Sequence, residues 1–161
     1  MSLPDAMSWL QSQPFSQEIA ESTWLFPGFE TLHVLALTLV VGSVAMMDVR
    51  LLGIGRWRPA SEVIAASLPW AWCAFAVAFT AGALLFCSKA VTYYSNIPFR
   101  IKMVCMLLAG INMLVFHVMT SRKIKDWDTS EPPVGARVAG GISLVLWVTI
   151  VAMGRWVGFT Y

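Results

Sequence analysis

Two residues three apart, Glu30 and His33 in the stretch FETLHVLAL (29–37), stand at the mouth of a segment that then stays apolar for most of a membrane's thickness. A spacing of i,i+3 places both on one helix face, and Glu-x-x-His is the unit with which helical bundles hold metal ions. The chain has only two histidines; the other, His117, follows Asn112 by five residues near the end of another apolar run. Ionisable groups at membrane depth are costly and point to function by default. Glu30, His33 and His117 are therefore the candidate metal ligands. Arg155 is a candidate cofactor-binding residue that pairs with Glu30 and orients whatever His33 binds. The plainer alternatives are a glutamate and a histidine facing headgroups, a histidine capping a last helical turn, and an arginine snorkelling to the interface.

The elements that position these residues follow from composition. Of 161 residues, 58% are hydrophobic and 12% charged, and mean hydropathy is +0.69. A soluble domain carries about a quarter of its residues as charges, so this is an integral membrane protein. Four stretches lack Asp, Glu, Lys and Arg: 31–47, 63–88, 103–121 and 138–154. Each suits a spanning helix of roughly 20 residues, and none alternates as a barrel strand does. The reading is an all-α fold, a single domain (1–161) of four transmembrane helices at about 29–52, 63–89, 99–120 and 137–156.

Residues 1–28 read as an amphipathic outer segment of one or two short helices interrupted at Pro4 and Pro14, with no leader-like core. FPG (26–28) turns the chain into the first span, YYSNIPF (93–99) is a short outer turn, and Pro69 kinks the second span. Asp48 and Arg50 form an interfacial pair at the end of the first span. Gly140 and Gly141 permit close helix contact.

Basic residues cluster in the first and third connections (Arg50, Arg56, Arg58; Arg122, Lys123, Lys125, Arg137). By the positive-inside rule both termini are outside. The net charge of +2 is thus a topology signal and makes no case for nucleic acid. No phosphate loop, nucleophile elbow or zinc-protease motif is present; any enzymatic role would be that of a membrane oxidoreductase.

Depth separates the two histidines. His33 lies about one turn inside its helix, and His117 is some 27 Å along a helix running the same way, so the two sit roughly 20 Å apart in depth. They cannot ligate one iron within one protomer. Methionine with histidine can hold haem iron, and histidine with methionine or cysteine suits copper. Met103, Met106, Met153, Cys87 and Cys105 fall toward the His33 side; Met46, Met47 and Met119 fall toward the His117 side.

The run FPGFETLHVLALTLVVGSVAMMDVRLLG (26–53), with PFRIKM (98–103), Asn112, His117, DW (126–127), LVLW and GRW, resembles a family of small bacterial four-helix inner-membrane proteins of unknown function. More distantly the pattern is similar to the copper-resistance D proteins and cytochrome b561-type bundles. That likeness implies a redox metal in the membrane. The b561 type supplies paired histidines at matching depth, and this chain lacks the second of each pair; a homo-oligomer would supply ligands from two protomers.

Three readings follow. The first is a haem b electron-transfer protein, with a quinone or another redox partner. The second is a copper-binding or copper-transport protein. The third is a non-catalytic scaffold subunit whose polar residues satisfy one another.

Overall fold

A computed structural model describes residues 2–119 and 121–160, without the side chains of Met119 and of residues 121–123. Thr120 and the side chains of Met119, Arg122 and Lys123, which the sequence places at the inner face, lie outside the described residues. The elements are α1 (Leu3–Gln11), α2 (Pro14–Glu21), α3 (Leu25–Leu51), α4 (Ala60–Ser88), α5 (Ala90–Ser95), α6 (Ile97–Met119), a 3-10 segment (Ser121–Asp126) and α7 (Val134–Val157). The fold is all-helical among the described residues, and α3, α4, α6 and α7 are long and apolar enough to cross a membrane.

Each long helix starts two to four residues before its expected position. The reason is visible in α3. Phe26, Pro27 and Gly28 form its first turn rather than a turn leading into it. Proline is tolerated there because the first four N–H groups of a helix have no internal partner. The same physics acts in the N-terminal strap of α1 and α2: Pro4 opens α1 rather than interrupting it, while Pro14 follows the break after α1 and opens α2. Ser2 and Asp5 cap α1 reciprocally. The aromatic connection expected as a turn is helical through Ser95, and α4 runs on through Pro69.

Packing is set by small residues. Ser67, Ala71, Ala74, Ala78 and Ala81 recur at three- and four-residue steps and are buried on α4, which lets α3 lie closely along it. On its other flank α3 meets α7, and α7 in turn packs on α6. The α3–α7 contact at Gly140 is close: a Cβ there would stand 3.0 Å from both the Asp48 carbonyl oxygen and Leu51 Cβ. Large apolar side chains in mid-span face outward, Leu35, Phe79, Leu107 and Val145 among them. That inside-out distribution is what lipid permits and water does not.

The two ends of the bundle differ. At one, the strap end, α1 packs on α5 and α2 on α4, and Phe86, Tyr93 and Phe99 stack with centroids 5.4–6.3 Å apart. This stack joins α4, α5 and α6. Trp9 and Trp24 point outward, placed to sit among headgroups.

The opposite, loop end is knotted by polar contacts. Arg50, 2% exposed, donates from Nε to the Arg58 carbonyl (2.9 Å) and from Nη2 to the Asp128 carbonyl (2.7 Å). The expected Asp48–Arg50 pair does not form. The two side chains leave the helix on nearly opposite sides, and Asp48 instead meets Ser143 of α7. Trp127 is buried against Leu51, Ala60 and Ala136.

Asp128 accepts hydrogen bonds from the Ser61 hydroxyl and backbone N–H, both at 2.7 Å. Those bonds, with Arg50's charge a smaller influence, hold its carboxyl below the ordinary value of 3.8. A carboxyl depressed in the folded state contributes stability above its unfolded value and loses it as pH falls through the folded one. Thermal unfolding should therefore show a stability contribution that is flat above about pH 5 and declines below about pH 4. Asp128→Asn should flatten part of that acid slope; an identical slope in the variant would contradict the assignment.

Candidate functional site

In the strap-end half of the bundle, His33 feels the charges of Glu30 and Lys102. Its helix, α3, places Glu30 one turn nearer the membrane surface, where Glu30 is exposed, while His33 is half-buried against α4. His33 Nδ1 lies 2.7 Å from the Ala78 carbonyl oxygen. Because a carbonyl only accepts, Nδ1 carries a proton and donates, and in the neutral form of the ring the lone pair then lies on Nε2.

The seat for the ring is built into α4. Ala78 offers its carbonyl, and Gly82 four residues on offers a gap. A Cβ on Gly82 would fall 2.8 Å from His33 Cε1 and 3.0 Å from Nδ1. Any side chain at 82 would push the imidazole off its hydrogen bond.

Lys102 of α6 is the nearest basic neighbour. Its charge and that of Glu30 both act on His33. The lysine stem crosses α7 at Gly154, where an added Cβ would stand 3.5 Å from Nζ. Lys102 is half-buried, and no carboxylate forms an ion pair with it among the described residues. A lysine this near a span end could equally snorkel outward to the interface. The structure turns it inward because Gly154 leaves room.

Arg155 does not join this group as expected. It is exposed, with its guanidinium carbon 4.8 Å from the Phe159 ring centroid. The only ion pair among the described residues joins Arg137 to Glu131, so Glu30 and Arg155 are not paired. The cause is local: Phe159, four residues on, gives the guanidinium an aromatic face within reach.

His117 stands apart. It is exposed in the last turn of α6. It lies fifteen residues beyond Lys102, about 22 Å along the helix axis. Asn112, one and a half turns before it, donates to the Ala139 carbonyl at 2.9 Å and ties α6 to α7. The two histidines therefore belong to different regions. Cys73, Cys87 and Cys105 are free thiols, and no group of three or more His, Cys, Asp or Glu converges among the described residues.

Alongside the His33 seat, on the lipid-facing side of the α3–α4 seam, Phe29, Leu32, Val77, Thr80, Ala81 and Leu84 line an apolar groove of about 360 Å³. The site thus has one oriented imidazole, one lysine without an acid partner, and an apolar flank. Chemically it can supply a single nitrogen ligand or hydrogen-bond acceptor beside a positive charge.

A family model described as a family of unknown function (DUF6644) matches residues 24–160. No curated protein and no solved structure matches the chain.

Proposed function

We propose that this chain, which belongs to the DUF6644 family of unknown function, is a membrane electron-transfer protein that binds haem b through Nε2 of His33. The observation carrying this reading is the Nδ1 hydrogen bond to the Ala78 carbonyl. A histidine that ligates a metal donates its other N–H to a carbonyl or carboxylate, which fixes the tautomer and the ring plane.

The residues present fit haem better than a bare ion. Haem brings four nitrogen ligands of its own, so one imidazole from the protein is enough to attach it. Copper or zinc would need three or four side chains, and no group of three or more His, Cys, Asp or Glu converges among the described residues. Lys102 would repel a naked cation, whereas the carboxylates that haem b carries would find a partner there. When bound, haem supplies a one-electron couple. His33 would hold it, the Ala78 carbonyl and Gly82 would orient His33, Lys102 would neutralise its acid groups, and the apolar flank would exclude water. The likeness to copper-resistance D and cytochrome b561-type bundles supports a redox metal in the same general way.

A homo-oligomer is part of this proposal, with ligands from a second protomer completing a second site at His117. So is its setting: a bacterial inner membrane, termini in the periplasm, and a quinone or another redox partner.

The test is a visible spectrum of detergent-purified protein, oxidised and reduced, with iron and copper measured on the same sample. A Soret band that shifts on reduction, with stoichiometric iron, is the expected result. Copper without a Soret band would replace haem by the copper reading. Neither metal in protein purified without chelator, with none rebinding, would leave a polar scaffold.

A further inference from the structure

We propose that the loop between α3 and α4, residues 52–59, is a docking site for the anionic headgroup of a membrane lipid, in the leaflet at the loop end of the bundle. The loop follows the last residue of one spanning helix and precedes the first of the next, so it lies at the membrane surface by construction. What it presents there is specific. Trp57 is 84% exposed and Ile54 60%, and Trp57's neighbours in sequence, Arg56 and Arg58, are exposed as well.

Water gives no reward for an indole held in the open, but the headgroup layer does. The guanidinium groups of these two exposed neighbours suit a phosphate, which accepts their forked donors. No acid cancels them. Glu62 and Asp126 are exposed at this end, yet neither pairs with Arg56 or Arg58, and the one ion pair among the described residues lies elsewhere.

The loop is also held in shape rather than left to fold on contact. Gly53 and Gly55 adopt φ of +93° and +73°, conformations that a side chain rarely allows. Those turns are closed by Gly53 N–H to the Arg50 carbonyl, Ile54 N–H to the Val49 carbonyl and Arg58 N–H to the Gly55 carbonyl. The buried Arg50 clamps the Arg58 carbonyl from beneath. The Trp57 ring lies over Gly55, 3.8 Å from where a Cβ would be. A pre-shaped apolar tip between two cations loses little freedom on binding, which is how preorganised sites gain affinity. At the strap end two of the cations are drawn onto rings instead, Lys89 over Phe26 and Arg155 over Phe159.

The experiment uses the full chain in neutral detergent, titrated with phosphatidylglycerol or with phosphatidylcholine, and reads the thermal unfolding midpoint. Phosphatidylglycerol at about a hundredfold excess over its dissociation constant should raise the midpoint by roughly 5–10 °C. Phosphatidylcholine should do much less. In Arg56→Gln/Arg58→Gln the phosphatidylglycerol shift should fall at least by half, with the lipid-free midpoint unchanged. Arg100→Gln, a charge lost from the strap end, should keep the full shift. Three results would each overturn the proposal: equal shifts in the double variant and the wild type, equal shifts with both lipids, or the same shift with inorganic phosphate alone. The reading of His33 survives any of these, since the haem spectrum is measured independently.

Discussion

Replacing His33 by Ala is expected to abolish haem binding, taking the Soret absorbance and iron content of the purified protein to background while the four spans still insert. The argument rests on how little else at this site can hold a metal. One imidazole faces the site, and with Nδ1 engaged by the Ala78 carbonyl its Nε2 is the histidine nitrogen left to ligate in the strap-end half of the bundle, His117 lying near the far end of α6. Removing it deletes the attachment itself. The structural cost is small by comparison. The Ala78 carbonyl loses one hydrogen bond worth about 1 kcal/mol, and the alanine that replaces the ring leaves a void against Gly82. Helix insertion depends on apolar runs of 22–29 residues, which the substitution does not touch.

Gly82→Ala separates positioning from ligation. The imidazole remains, but the new Cβ would stand 2.8 Å from its Cε1, so the ring must swing away from Ala78. Retention of haem should weaken by about tenfold to a hundredfold, the usual effect of losing a residue that orients a metal ligand. The reduced spectrum should broaden or shift because the ring plane is no longer fixed. Full iron and an unaltered spectrum in His33→Ala would end the assignment. If that variant lost its haem and Gly82→Ala behaved as wild type, ligation by His33 would stand and the role given to its seat would not.

The spans were legible in the sequence because the membrane imposes a length and a composition that few other folds share. The four charge-free stretches mark α3, α4, α6 and α7. The starts were less legible because Pro27 and Gly28 look like a boundary, yet a helix's first turn tolerates both. At the site, Glu30 and His33 stood out by type and spacing. Ala78 and Gly82 did not, because their contribution is a carbonyl and an absence of side chain, neither of which has a residue signature. Lys102 was visible only as one more interfacial cation. What turns it inward is Gly154 on another helix, and the pairing of two helices is written in neither one alone. Asp48 and Arg50 misled for the opposite reason. Opposite charges two residues apart suggest a pair, but on a helix that spacing sends them to different sides.

Arg50 leads to the second large effect. Arg50→Ala is expected to destabilise the protein by about 3 kcal/mol, seen as a fall of roughly 6–12 °C in the unfolding midpoint. Two opposing costs decide the sign. Burying a guanidinium without a paired carboxylate is unfavourable, and its Nη1 has no partner, so its removal relieves some strain. Against this, the Arg58 carbonyl would lose its bond from Nε, and the Asp128 carbonyl would keep only its bond from Ala60 N–H. An unsatisfied buried acceptor costs about 1–3 kcal/mol, and the missing stem leaves a hole beside the knot that holds the α3–α4 loop to the segment before α7. The second group of terms is larger. Arg50→Met, which refills the hole but restores neither bond, should recover part of the loss, and Arg50→Lys should recover little because one ammonium cannot span the two carbonyls as a fork does. The same clamp shapes the loop that carries Trp57, so Arg50→Ala should also blunt the response to phosphatidylglycerol. An Arg50→Ala protein as stable as the wild type would mean that the knot is held by Trp127 and Asp128 without it.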